Sequence, residues 1–103
     1  MSFQNRKKVI NVSTSKTLTL NELEYSTLIV KTNSAVTTLT IPNMTSQDGT
    51  EMEFKRVGSN NAVIKFASDK LNGGAINQSV TLSSDGETAR FVWNKEDASW
   101  YTM

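Results

Sequence analysis

The chain has 103 residues, with 11 basic and 10 acidic side chains and with neither cysteine nor histidine. This length favours a single domain, and the missing cysteine excludes disulfides and thiolate metal sites. The missing histidine removes the commonest general base and the commonest metal ligand together. The nearly balanced charge argues against binding to nucleic acid or to an anionic membrane.

Neither a membrane span nor a secretory signal is visible in the sequence. No apolar run approaches the ~20 residues that a membrane-spanning helix needs. The first residues, MSFQNRKK, lack the apolar segment of a signal peptide. We therefore expect the protein to be made and folded in a cytoplasm.

Apolar and polar residues alternate in about nine short stretches spaced by roughly 8–12 residues, a pattern typical of sandwiches and barrels. The sequence therefore predicts an all-β fold, a small antiparallel β-sandwich or jelly-roll-like domain. In chain order the predicted strands are KKVINVS, KTLTL, STLIVKT, VTTLTIP, EMEFKRV, AVIKF, SVTLS, ETARFVWN and SWYTM.

Details within the stretches suggest how each strand is buried. Met52 and Phe54 alternate with charged residues and are predicted to face the core. The apolar run from Leu28 to Val30 indicates a strand buried on both faces. The stretch LNELEYS, residues 20–26, fits one helical turn, but Leu20 and Leu23 alone do not make a convincing helix, so we interpret it as a connection between strands.

Turn residues separate the strands. Asp48-Gly49 and Asp85-Gly86 are strong signals for chain reversal. The segment VINVSTSKTLTL weakly echoes LIVKTNSAVTTLTI, which two similar hairpins or chance would explain. We predict an N-terminal arm over residues 1–8, a possible anchor, and one β domain over residues 9–103.

The carboxylates do not form a convincing catalytic group. Glu51 and Glu53 share a strand face that is predicted to be solvated, and a catalytic acid needs burial or a charged neighbour. Asp85 and Glu87 flank a turn glycine, with too few oxygen ligands for a calcium loop. We expect no enzyme activity, no catalytic or metal-binding residue and no cofactor.

The basic N-terminus has two interpretations. Arg6, Lys7 and Lys8 form a compact basic cluster that follows Phe3. They belong either to a solvated arm or to an arm that docks on the acidic surface of a partner protein, because termini are usually disordered unless something holds them.

The C-terminal stretch RFVWNKEDASWY concentrates the aromatic residues in one predicted hairpin. Phe91 and Trp93 share a strand face and are predicted to lie in the core. Trp100 and Tyr101 have two candidate roles, in the core or on a surface that binds a partner or a sugar. In the second role, Asn94 and Asp97 in the adjoining loop would supply the flanking polar groups.

The succession TLTIPN, DGTEMEFKRVGSNNAVIKF, LNGGA and VTLSSDGETARFVWNKEDASWY resembles the small β domains of tailed-bacteriophage virion proteins. Such domains occur in head fibres, capsid decorations and tail-fibre modules. Pro42, Gly49, Phe54, Trp93 and Trp100 occupy the positions of the recurring pattern. The resemblance covers about two thirds of the chain, residues 36–101, and involves structural residues rather than catalytic ones.

The resemblance implies a non-enzymatic virion structural protein, made in the host cytoplasm and located in the virion. We expect a capsid-attached head-fibre or decoration subunit that forms a homotrimer and docks on the major capsid protein or another virion protein. The alternative is a carbohydrate- or receptor-binding module of a tail fibre, with a host surface glycan as its partner. We expect neither nucleic acid nor a membrane as a partner.

Overall fold

A computed structural model describes residues 7–44 and 48–103 of the chain. In those residues it contains ten β-strands and one short helix, and strands dominate as the sequence predicts. The elements are β1 (Lys8–Val12), β2 (Lys16–Thr17), α1 (Leu20–Leu23), β3 (Ser26–Lys31), β4 (Thr37–Ile41), β5 (Glu51–Val57), β6 (Ala62–Phe66), β7 (Lys70–Leu71), β8 (Gln78–Leu82), β9 (Thr88–Asn94) and β10 (Ser99–Thr102).

The strands form two sheets with mixed pairing. One sheet has the order β1-β3-β5-β9-β10-β7, and the other has the order β2-β4-β6-β8. Parallel pairs join β1 to β3, β3 to β5, β2 to β4, β4 to β6 and β7 to β10. Only β5–β9, β9–β10 and β6–β8 are antiparallel among the described strands. The prediction that the strands pair antiparallel is therefore wrong.

The chain crosses from one sheet to the other after almost every strand, which explains the parallel pairing. β1 with β2, β3 with β4, and β5 with β6 form three successive coils of a solenoid-like stack. The repeated sequence segment falls on the first two coils, and Ile10 aligns with Leu28 across them. The echo therefore reflects stacked coils rather than two hairpins, as expected when each repeat packs on its neighbour.

One apolar core lies between the sheets. The inward faces of both sheets supply it, and Phe66 of β6 packs edge-on against Phe91 of β9 with 5.1 Å between ring centroids. Met52 and Phe54 face this core as predicted. In β3 the pattern differs, because Leu28 and Val30 are buried while the residue between them is only partly buried. The strand is therefore buried fully on one face only, because in the described part of the chain the second sheet packs on the inner face alone.

A single helical turn replaces the predicted strand connection at residues 20–23. Thr19 caps it: its hydroxyl accepts a hydrogen bond from the Glu22 amide, and the Glu22 carboxylate accepts one from the Thr19 amide. This capping box satisfies amides that a short helix leaves unpaired. Lys16 donates a 2.7 Å bond to Glu22, and this bond, together with the Thr19 amide, lowers the pKa of Glu22. Buried Leu23 anchors the turn to the core.

Candidate binding site on the outer face of the six-stranded sheet

The hairpin formed by β9 and β10 separates the aromatic residues onto two faces. Trp93 and Trp100 lie directly opposite each other in the antiparallel register, and their ring centroids are 5.6 Å apart. Phe91 and Trp93 are buried, as predicted. Trp100 is 0% exposed, so its ring offers no face to a ligand. This places Trp100 in the core and removes it from the candidate surface residues.

Tyr101 lies on the opposite face of the same hairpin. It pairs with Val92 across the two strands, and both side chains are partly buried. With Asp48, Asn94 and part of Trp93 they line an open depression of about 450 Å³. The depression therefore combines an aromatic ring and an aliphatic side chain with a carboxylate and an amide, the mixture typical of small-ligand sites.

Asp97 connects the residues at the rim of this depression by hydrogen bonds. The Tyr101 hydroxyl donates a 2.8 Å hydrogen bond to the Asp97 carboxylate, and the Asn94 amide donates a 3.3 Å bond to the same oxygen. The Asp97 backbone amide in turn donates to the Asn94 side-chain oxygen at 3.3 Å. The structure thus brings together three of the predicted surface residues, Asn94, Asp97 and Tyr101. The bond to Asp97, followed by burial, raises the pKa of the Tyr101 hydroxyl, which favours its protonated, donating form.

Asp48 and Val92 are site residues that the sequence analysis did not identify. Asp48 is distant in sequence, and its carboxylate accepts a 2.9 Å bond from the Lys95 backbone amide. Backbone bonds from Gly49 to Trp93 and from Trp93 to Thr50 fasten this turn to β9. An Asp-Gly pair indicates a turn, but its position beside the hairpin depends on tertiary contacts. Val92 is predictable from the alternation of side chains along a strand, which places it on the same face of the hairpin as Tyr101.

The described part of the basic N-terminal cluster packs against the protein itself. Lys7 lies 3.6 Å from the Glu53 carboxylate and 5.6 Å from the centre of the Tyr25 ring. Lys8 is the first residue of β1, and its side chain donates to the backbone oxygen of Asn21. The other two predicted docking residues, Phe3 and Arg6, lie outside the described residues.

Three further carboxylates, those of Glu53, Asp85 and Glu87, are occupied by contacts within the fold. Glu53 accepts a 3.0 Å bond from Thr27 and lies 3.6 Å from Arg90. Glu87 accepts bonds from the backbone amides of residues 83 and 84, which close the turn before β9. Asp85 accepts a 2.9 Å bond from the Gly58 amide. These contacts are typical of turn and strand stabilisation.

Asp69 is a buried carboxylate far from the depression in sequence. Burial raises its pKa, while a 2.9 Å hydrogen bond from the Met44 amide acts in the opposite direction. The bond fixes the end of the segment after β4 to the turn after β6.

Within residues 7–44 and 48–103, no group of three or more Asp or Glu side chains is arranged to hold a metal ion. No helix in the same ranges is long and apolar enough to span a membrane.

Comparisons with known proteins identify the fold and no family. No protein-family model and no curated protein matches this chain. A chain in a solved structure described as "Structure of a chaperone-substrate complex" superposes with a TM-score of 0.60 at 12% identity. That match covers 93% of this chain, which spans only 16% of the other. The crystal structure of enterohemorrhagic E. coli StcE(132-251) gives a TM-score of 0.58 at 17% identity, covering 96% of this chain and 90% of that one. At such low identities the similarity establishes a shared fold alone.

Proposed function

We propose that this protein is a non-enzymatic structural subunit that assembles with copies of itself through the open flank of its first coil. The setting that we propose is the virion of a tailed bacteriophage, as a homotrimeric head-fibre or decoration subunit attached to the capsid. The observation that carries the assembly proposal is the pair of strand edges at one end of the stack. The virion setting is supported by the sequence resemblance described above.

Both sheets end in an open edge on the same flank. β1 is the terminal strand of the six-stranded sheet, and β2 is the terminal strand of the four-stranded sheet. Each has a single strand neighbour among the residues that the structure describes, β3 for β1 and β4 for β2. These two strands form the first coil, and within residues 7–44 and 48–103 no strand pairs with their outer edges, so backbone groups there can pair with a further strand.

The hydrogen bonding of β1 identifies which groups face outward. The Lys8 amide donates to the Tyr25 oxygen at 3.2 Å, in the parallel register that pairs Lys8 with Ser26. In a parallel strand, alternate residues bond to the same neighbour. The backbone amides and carbonyls of Val9 and Asn11 therefore point away from β3, toward the open edge.

Exposed apolar side chains lie at the same end of the molecule. Val9 is 65% exposed on β1, and Tyr25, which follows α1, is 42% exposed. Leu20, at the start of α1, is also exposed. A small domain has limited interior, and burying such side chains between subunits is a common way to add stability. Backbone pairing and apolar burial would thus act together at this flank.

Two variants test this surface without altering the β1–β3 pairing. Asn11→Pro removes an outward amide, and proline is tolerated at the exposed edge of a sheet. Val9→Lys replaces the exposed apolar side chain with a charge. Ile76→Lys is the matched control, because Ile76 is also an exposed aliphatic residue but precedes β8, at the far side of the four-stranded sheet.

Light scattering on the purified protein gives the solution mass of each variant. We expect the parent and Ile76→Lys to be trimeric and both β1 variants to dissociate at concentrations where the parent does not. Tryptophan fluorescence establishes that each variant is folded. A monomeric parent, or folded β1 variants with the parent's mass, would refute the proposed surface.

For the virion setting, we expect particles lacking the protein to lose surface projections while the capsid still assembles. Unchanged particles would refute that part.

A further inference from the structure

We infer that the depression beside Tyr101 binds a neutral or amino sugar and excludes acidic sugars. This site lies on β9, β10 and the turn around Gly49, whereas the proposed assembly surface is β1, at the opposite edge region of the same sheet. The two proposals can therefore fail independently.

The depression offers the two kinds of contact that a sugar requires. One sugar face carries C–H groups that pack on aromatic and aliphatic surface, which the Tyr101 ring and Val92 provide. The ring's hydroxyls need hydrogen-bond partners, and leaving them unpaired on binding would cost affinity. Asp48 and Asn94 line the same depression and supply acceptor oxygens and an amide donor.

The site is held in place before any ligand arrives. Tyr101 is fixed at its hydroxyl by Asp97 and at its backbone by pairing with Val92. Beneath it, the Trp93–Trp100 pair anchors the hairpin in the core. Groups that are already ordered lose little conformational entropy when a ligand binds, which matters most for weak, shallow sites.

The local charge selects among sugars. Residues 48–51 and 94–101 contain four carboxylates and a single lysine, and Arg90 on the same face of β9 is paired with Glu53. Asp48 lines the depression, Asp97 bonds to Tyr101, and Glu51 lies opposite Val92 in the neighbouring strand pair. A carboxylated sugar would meet like charges at close range, which disfavours binding, whereas a hydroxyl or an ammonium group would meet acceptors. Charge thus excludes sialic and uronic acids.

The test is direct binding of the purified full chain to a panel of soluble oligosaccharides, measured by calorimetry and by ligand-observed NMR. The panel includes glucose-, galactose- and N-acetylglucosamine-terminated probes, a glucosamine oligomer, and sialic acid- and uronic acid-terminated probes. We expect binding at millimolar or lower concentration for at least one neutral or amino probe. Binding of none of these, or binding of the acidic probes as strong as that of the neutral ones, would overturn the inference.

Three variants assign the binding to this depression. Tyr101→Ala removes the ring and should weaken binding at least tenfold, while Tyr101→Phe keeps the ring and should retain most of it. Val57→Ala is the control, since Val57 is an exposed apolar residue at the other end of β5 from Glu51, away from both the depression and β1. Near-ultraviolet circular dichroism reports whether each variant keeps its tryptophan packing. Equal loss with Val57→Ala, or unchanged binding in folded Tyr101→Ala, would place the ligand elsewhere and overturn the inference.

Discussion

Gly58 occupies a corner where two successive coils stack, and its replacement by alanine should destabilise the fold strongly. The backbone φ of Gly58 is +134°, a region that side chains rarely adopt. A Cβ at this position would lie 2.8 Å from the Thr32 hydroxyl and 2.9 Å from the backbone nitrogen of Asn33. Those atoms belong to the corresponding corner of the previous coil, which the Thr32 amide ties to Val57 at 2.9 Å.

The size of the effect follows from two costs in the folded state and one offset in the unfolded chain. Holding alanine at this φ costs about 1–3 kcal/mol. The contact with a fixed backbone nitrogen adds about 1–3 kcal/mol, the usual range for overpacking. Alanine also restricts the unfolded chain more than glycine does, which offsets about 0.4–1 kcal/mol of this loss. The net loss for Gly58→Ala is therefore about 1–6 kcal/mol, a large part of the roughly 5–15 kcal/mol that stabilises a typical domain.

Gly86→Ala is the matched control. Gly86 also has a positive φ, +81°, but a Cβ there would meet nothing within 4 Å. It should lose about 1 kcal/mol or less, because the backbone strain is partly offset in the unfolded chain. Urea unfolding followed by the fluorescence of buried Trp93 and Trp100 measures both variants. A Gly58→Ala loss equal to that of Gly86→Ala would refute the stacked-corner explanation.

Three further predictions concern the core, a buried charge and the phenol. Phe66→Ala should cost about 3–5 kcal/mol, because Phe66 joins the two sheets; a loss near 1 kcal/mol in urea unfolding would argue against a shared core. Arg56 is buried, and its Nε and one terminal nitrogen have no hydrogen-bond partner within residues 7–44 and 48–103. Arg56→Met should therefore leave the free energy of unfolding unchanged or raise it by about 1 kcal/mol, whereas Arg56→Ala should lower it. A marked loss in thermal unfolding of the methionine variant would show that the guanidinium stabilises the fold. In a Tyr25→Phe background, ultraviolet titration should give Tyr101 a pKa above its ordinary 10.0, and Asp97→Ala should lower that pKa. Because the folded state then holds the proton to higher pH than the unfolded chain does, the stability from this bond is full below pH 10 and decreases as the pH rises further. An Asp97→Ala titration identical to that of the parent would contradict the assigned bond.

The alternation of apolar and polar residues was sufficient to find nearly every strand. Each of the nine predicted stretches overlaps a strand of the structure, although β8 begins one residue before its stretch; the tenth strand, β7, has only two residues and no detectable pattern. The inward residues of β4, β5, β6 and β9 follow directly from the two-residue period of side chains along a strand. The helical turn α1 was missed because four residues carry almost no periodic signal, although Thr19 and Glu22 have the spacing of a capping box.

Strand pairing could not be derived in the same way. Period two tells which face of a strand is buried, but not which strand lies beside it. The Asp85-Gly86 turn indicates a chain reversal, yet it joins β8 of one sheet to β9 of the other. Among the described strands, β9 and β10 alone are consecutive in the chain and bonded to each other as a hairpin. Turn chemistry therefore located the reversals, while packing of both sheets on one core decided that most of them cross between layers.

Some residues of the candidate site are likewise predictable from the sequence, and others depend on tertiary contacts. The proximity of Asn94, Asp97 and Tyr101 is predictable from the sequence, because a short hairpin loop brings residues a few positions apart into contact. Tertiary structure decided the rest: the cross-strand register turned Trp100 into the core, and a contact 47 residues away in sequence brought Asp48 to the rim. Local chemistry fixes neighbours within a turn, whereas long-range neighbours depend on how two sheets bury their apolar faces against each other.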